Sequence, residues 1–166
     1  GYIVYRKLAS GGSWKKLKTI KKKATVTYVD KKAKTGKNYV YTVLAYKKVK
    51  GKQIKGAMNS KGKKTMAVCA APRMEVTRIK TDSNEVVLWN PDGVTGYYLY
   101  RKTGNGSYTK IKTIPASKID VTVYFDPVDS SYIYTYYAVP YSKVGSKKVK
   151  GYKTGEITEK RLNAKK

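Results

Sequence analysis

Gly1-Tyr2-Ile3-Val4-Tyr5-Arg6-Lys7 returns as Gly96-Tyr97-Tyr98-Leu99-Tyr100-Arg101-Lys102. The match continues in order. Leu17-Lys18-Thr19-Ile20 pairs with Ile111-Lys112-Thr113-Ile114, and Tyr28-Val29-Asp30 with Tyr124-Phe125-Asp126. Tyr39-Val40-Tyr41-Thr42 pairs with Tyr132-Ile133-Tyr134-Thr135, and Ile54-Lys55-Gly56 with Val149-Lys150-Gly151. The offsets are 95, 94, 96, 93 and 95. A near-constant offset of this size exceeds the roughly 20–50 residues of solenoid repeats and matches a small domain. The chain therefore reads as two homologous modules with short loop insertions, residues 1–68 and 69–160, followed by a tail at 161–166.

Bulk composition narrows the class. The 166 residues carry 37 Lys/Arg against 10 Asp/Glu, a formal charge of +27. Residues 1–68 hold 20 of those bases and one acid, Asp30, for a net +19; the remainder carries +8. Only five of the bases are arginine. Lysine is a hydrated point charge on a flexible stem, whereas base-reading proteins rely on arginine forks. The excess suits solubility and diffuse attraction to polyanions more than shaped nucleic-acid recognition. A single cysteine, Cys69, cannot form an internal disulfide, and with no histidine it lacks the base a catalytic thiol needs. It reads as a small hydrophobe in the linker. No run approaches the ~18 apolar residues of a membrane helix, and the opening residues do not read as a signal peptide. The chain opens inside a repeat, which reads as a piece of a longer polypeptide.

The local signal is β throughout. Tyr39, Tyr41, Val43 and Ala45 alternate with Val40, Thr42, Leu44 and Tyr46, and β-branched or aromatic runs are punctuated by Gly, Asn, Ser and Lys. The second module predicts seven strands, A to G, at 73–80, 85–89, 96–102, 108–114, 120–125, 132–139 and 147–157. The first predicts only C to G, at 1–7, 14–20, 24–29, 38–46 and 53–68. The expected fold is all-β, two tandem sandwiches of which the first lacks strands A and B. Half a sandwich leaves an inner face open, so the first module is expected to be marginal unless something covers that face.

These residues resemble a fibronectin type III module. Its F-strand pattern Gly-x-x-Tyr-x-Tyr-x-Val-x-Ala reads here as Gly36-Lys37-Asn38-Tyr39-Val40-Tyr41-Thr42-Val43-Leu44-Ala45. The second copy keeps Tyr132, Tyr134 and Ala138, with Asp129 in place of the glycine and Tyr136 in place of the valine. The resemblance implies that Trp89 of strand B lies in the core. It also implies that Tyr39 and Tyr132 pack at the sandwich corner and bond to nearby backbone. The strand-C motif, the Trp-Lys-Lys segment at Trp14 and the lysine-loaded F–G hairpin are similar to repeats of clostridial surface proteins. That implies secreted or wall-associated Gram-positive modules acting as spacers, adhesins or binding arms, some of which capture antibodies.

No catalytic pattern is present: no histidine, no Gly-x-Ser-x-Gly, no P-loop and no Cys/His cluster. Asp120, Asp126 and Asp129 read as turn-capping aspartates rather than as a calcium site or a pair of hydrolytic carboxylates. Gly104-Asn105-Gly106 reads as a hairpin loop. The expectation is a non-enzyme without metal or cofactor. The lysine runs 21–23 and 47–50 read as solvated charge, with contact to an anionic wall polymer as their functional alternative.

Strand phase supplies the candidate site. If Tyr2, Val4, Tyr39, Tyr41, Val43 and Ala45 face the core, Tyr5, Val40, Leu44 and Tyr46 face out. In the second copy Tyr98, Tyr100, Ile133, Tyr137, Val139 and Tyr141 face out. A solvated sheet face normally reads polar. A tyrosine-rich face ringed by lysines reads as a protein-binding surface with Tyr5, Leu44, Tyr46, Tyr98, Tyr100, Ile133, Tyr137 and Tyr141 as contacts. The expected partner is an extracellular protein, such as a host glycoprotein or an immunoglobulin, and the second module is expected to be the one that binds. Two alternatives stand beside it: a passive spacer against anionic wall polymers, and non-specific nucleic-acid binding.

Overall fold

The computed structural model describes residues 1–161, so residues 162–166 of the expected tail lie outside the described part. Every regular element among the described residues is a strand. The fold is all-β and of the sandwich type. Internal contacts cluster in two compact units, Gly1–Ala67 and Val68–Lys166.

In unit 1, five strands form one antiparallel sheet: β1 (Tyr2–Leu8), β2 (Gly11–Ile20), β3 (Asn38–Val49), β4 (Lys52–Lys55) and β5 (Lys63–Met66), in the order β2-β1-β3-β4. β4 pairs with the end of β3 at Tyr46–Val49, and β5 with its beginning at Asn38–Tyr41. The two short strands therefore share one edge of β3. The single long strand expected at 53–68 is thus two pieces.

In unit 2, two sheets face each other. One runs β10 (Val121–Pro127), β7 (Ser83–Trp89), β6 (Met74–Lys80), β14 (Lys160–Arg161). The other runs β12 (Lys147–Lys150), β11 (Tyr134–Val144), β8 (Gly96–Thr103), β9 (Thr109–Pro115), with β13 (Ile157–Thr158) also on β11. Met74, Val76, Val86 and Leu88 from the first sheet pack against Tyr97, Leu99, Ile114, Tyr134, Tyr136 and Ala138 from the second. Val86, Leu88 and Leu99 are fully buried. Each such side chain contributes roughly 1.5–3 kcal/mol of transfer free energy.

The two units repeat one frame at an offset of 95. Leu8 pairs with Tyr39 and Arg6 with Tyr41; Thr103 pairs with Tyr134 and Arg101 with Tyr136. Each copy of the second strand carries a bulge at the same place, with Leu17 and Ile111 as the extra residues. Tyr39 therefore corresponds to Tyr134, not Tyr132, and Tyr41 to Tyr136. The corner bond confirms this register. The Tyr39 hydroxyl accepts the Lys34 N–H at 3.1 Å, and the Tyr134 hydroxyl accepts the Asp129 N–H at 3.2 Å. Tyr132, expected to do this, is 52% exposed.

Two further expectations fail for physical reasons. Residues 24–29 form no strand, and Val26 and Val29 lie exposed. Their counterpart β10 is held by β7 alone, and the described part of unit 1 contains nothing equivalent to β7. A strand without a neighbour has no partners for its backbone N–H and C=O groups. Trp89 is not in the core. Val86 and Leu88 point inward, so alternation turns Trp89 outward. There the Arg73 guanidinium lies 4.2 Å over its ring.

The inner face of unit 1 is open. Val43 is 51% exposed, whereas its counterpart Ala138 is fully buried. The loop carrying Asp30 is tied to this face: Asp30 accepts from Arg6 at 2.6 Å and from the Tyr41 hydroxyl at 2.9 Å.

Candidate protein-binding face

Strands β8 and β11 are neighbours in register, with Tyr98 opposite Val139 and Tyr100 opposite Tyr137. Cross-strand pairing of this kind brings rings on one face into contact. Tyr100 and Tyr137 stack at 4.6 Å with an interplanar angle of 10°. Tyr108, just before β9, meets Tyr137 edge-on at 4.8 Å. Tyr98 meets Tyr141 at 4.9 Å. The result is two ring clusters on the outer face of one sheet, Tyr108–Tyr137–Tyr100 and Tyr98–Tyr141.

Lysines rim and overlie both clusters. Lys102 lies 5.1 Å from the Tyr108 ring centre and Lys153 5.1 Å from that of Tyr137. Lys110 and Lys150 lie 5.5 and 5.6 Å from Tyr98, and Lys148 lies 4.8 Å from Tyr141. An ammonium at this range is attracted to the ring face by about 0.5–1 kcal/mol at an exposed site. The lysine stems cover apolar ring surface that would otherwise meet water.

The face is electrically uneven. Burial, followed by the charge and hydrogen-bonding influence of Glu156, pushes the Tyr108 phenol up to about 12. Its hydroxyl oxygen nevertheless has no hydrogen-bond partner of sound geometry among the described residues. Burial, then the neighbouring Tyr100 and Glu156, also raises Tyr137. The Tyr108 and Tyr137 phenols therefore stay neutral and able to donate a hydrogen bond at neutral pH.

The eight expected contact residues fare differently. Tyr98, Tyr100 and Tyr137 lie half-buried on the described face, and Ile133 is 53% exposed just before β11. Tyr141 shares the face but is only 5% exposed, so it backs Tyr98 instead of presenting its own surface. In unit 1, Leu44 is 6% exposed and takes no part in an open face. Tyr5 and Tyr46 are half-buried and make no ring pair among the described residues. The segment between β4 and β5 crosses this side: the Thr42 hydroxyl donates to the Asn59 carbonyl at 2.8 Å, and Gly62 lies against Val40 and Trp14. The structure brings the tyrosines together in unit 2 only.

Sequence reasoning missed a buried polar chain. The Arg78 guanidinium donates to both Glu159 oxygens at 2.8 and 3.0 Å and to Asn84 Oδ1 at 2.7 Å. Asn84 Nδ2 donates to Glu159 and, at 2.8 Å, to the Tyr136 hydroxyl. The Tyr136 hydroxyl donates to Asp126 at 2.7 Å, which also accepts from Arg101 at 2.7 Å. Asp126 is 3% exposed; it is a buried ion-pair partner, not the turn cap that was expected. Asp129 does cap a turn, accepting the Ser131 N–H at 2.8 Å, and that bond lowers its pKa. The signal for its Arg101–Asp126 end alone was present in the repeat: Arg6 and Arg101 sit at inward phase, and Asp30 and Asp126 end the same matched segment. Cys69, expected in a linker, is buried in unit 2 with its sulfur 2.7 Å from the Ser142 hydroxyl.

No group of three or more His, Cys, Asp or Glu among the described residues is placed to hold a metal ion. No family model matches the chain, and no curated protein matches it.

Proposed function

We propose that the chain is a non-catalytic binding module whose unit 2 docks an acidic extracellular protein on the outer face of the β8–β11 sheet. The carrying observation is the pair of tyrosine clusters on one sheet face, rimmed by lysines. Tyrosines supply rigid, amphipathic contact area with few torsions to freeze, and their hydroxyls bond to a partner's backbone. The lysine rim complements acidic groups and speeds encounter. The resemblance to fibronectin type III repeats of Gram-positive surface proteins supports a secreted or wall-associated setting and a host glycoprotein or immunoglobulin as the partner class.

A second reading, a passive spacer, is favoured by the lysine stems over the rings, which complete the face without a partner. The two readings separate in a capture experiment on serum and mucus proteins. The variant Tyr98→Ala plus Tyr137→Ala removes one ring from each cluster. Docking on this face requires that it lose capture of the acidic partner while unit 2 still melts cooperatively. Capture that survives the double variant sinks the proposal, and salt-sensitive adsorption to purified walls without any protein partner supports the spacer.

A further inference from the structure

Unit 1 carries a second feature, independent of the tyrosine face. Where the β1–β2 hairpin meets the loop before β3, a cavity of about 920 Å³ opens. Six basic side chains line it: Arg6, Lys7, Lys15, Lys34, Lys37 and Lys64. No carboxylate does, and among the described residues only Arg6 of the six pairs with one, Asp30. The volume is within the range of small-ligand sites.

The internal repeat shows that the fold does not require four of these lysines, Lys15, Lys34, Lys37 and Lys64. The same backbone frame surrounds the corresponding place in unit 2. The Ala9 N–H donates to the Asn38 carbonyl at 3.0 Å, as the Gly104 N–H does to Ile133 at 2.9 Å. The Lys37 N–H donates to the Lys34 carbonyl, as the Tyr132 N–H does to Asp129. Strand register places Thr109 at the position of Lys15 and Thr158 at that of Lys64. The corner bond places Asp129 at the position of Lys34, and the spacing to the corner tyrosine places Tyr132 at that of Lys37. One frame thus carries four lysines in unit 1 and two threonines, an aspartate and a tyrosine in unit 2. Gathered like charges repel one another and weaken the unit that holds them. An anion bound among them would remove that repulsion and stabilise the unit.

We propose that this cavity is a binding site for a small, multiply charged oxyanion, with phosphate or sulfate groups as the recognised chemistry. Lysine suits this role because it acts as a mobile point charge that follows a flexible anionic chain.

The test is calorimetric titration of the full chain, at low salt, with inorganic tripolyphosphate and separately with sucrose octasulfate; the two arms distinguish phosphate from sulfate. The variant Lys15→Thr, Lys34→Asp, Lys37→Tyr and Lys64→Thr installs the residues that unit 2 already uses in this frame. A control with the same change in net charge replaces Lys21, Lys22, Lys23, Lys47 and Lys48 by Gln. The expected result is binding of at least one probe, weakened about tenfold or more in the swapped variant, a loss of about 1.4 kcal/mol. The control should weaken it by about twofold or less. A milder variant, Lys37→Gln plus Lys64→Gln, should fall between them and guards against misfolding of the swap. Equal losses in swap and control, or no binding of either probe by the parent chain, would overturn the site.

Discussion

The Tyr136 hydroxyl donates to Asp126 at 2.7 Å, and the Tyr41 hydroxyl repeats the bond to Asp30 at 2.9 Å in the other unit. Each aspartate also accepts from the arginine of the repeated strand motif, Arg101 or Arg6. In unit 2 the chain extends to Asn84, Glu159 and Arg78 and crosses from one sheet to the other. Removing one member strands the others, because a buried polar atom without a partner keeps its desolvation cost. Tyr136→Phe should therefore destabilise unit 2 by about 1–3 kcal/mol. Tyr41→Phe should cost unit 1 less, since Tyr41 is half-buried and no amide hangs on its oxygen. Urea unfolding of each variant checks the order; equal losses would contradict it.

The same phenols impose a pH dependence at the alkaline end. Burial, then the Asp30 bond, pushes Tyr41 up to about 12, and Tyr108 is also held at about 12. Burial raises Tyr97 and Tyr136 as well. An unfolded tyrosine releases its proton near pH 10. Between about pH 10 and 12 the unfolded chain therefore binds fewer protons than the folded one, and stability falls as pH rises. The contribution is fully present below about pH 10. The informative quantity is a difference between two chains that share all other titrating groups. The gap in unfolding free energy between the parent chain and Tyr41→Phe should shrink between about pH 9 and pH 12. A constant gap would rule out the shift.

Much of this was legible because strand periodicity is robust to one kind of error. The run Tyr132-Ile133-Tyr134-Thr135-Tyr136 offers the Tyr-x-Tyr pattern twice, and sequence matching took the wrong pair. A slip of two residues keeps every side chain on its own face, so the outward set survived the slip while the corner tyrosine did not. Trp89 shows the opposite weakness. A family expectation put it inside, although that phase would also have turned Glu85 inward. The strand expected at 24–29 had the right alternation, but alternation says nothing about whether a neighbour exists. The buried chain through Glu159 was out of reach because its members come from distant strands.

A close approach at Gly96 carries a third prediction. A Cβ there would lie 2.5 Å from the Ile114 carbonyl oxygen and 2.5 Å from the Tyr141 hydroxyl. The carbonyl belongs to the paired strand β9, so Gly96→Ala must both displace the Tyr141 ring and push β9 away from β8. The expected cost is about 1–3 kcal/mol, as for other overpacked sites. Because Tyr141 backs Tyr98, the variant should also weaken partner capture by unit 2. Unchanged stability would contradict the close approach to β9, and unchanged capture would remove Tyr141 as the support of the face.

The turn between β3 and β4 offers a gain instead of a loss. Lys50 has φ 45° and Gly51 φ 80°, the paired left-handed conformation of a two-residue hairpin turn. Glycine adopts it freely; lysine does so at a steric cost, and asparagine is the side chain that tolerates it best. Lys50→Asn should stabilise unit 1 by about 0.5–1 kcal/mol. Removing one charge from a unit with 20 bases and one acid in its 1–68 stretch also relieves repulsion. The control Lys52→Asn, which removes the same charge from the adjacent strand residue, separates the two effects. Lys50→Asn should raise the melting temperature of unit 1 by more than Lys52→Asn does. Equal shifts in both variants would assign the gain to charge and not to backbone strain.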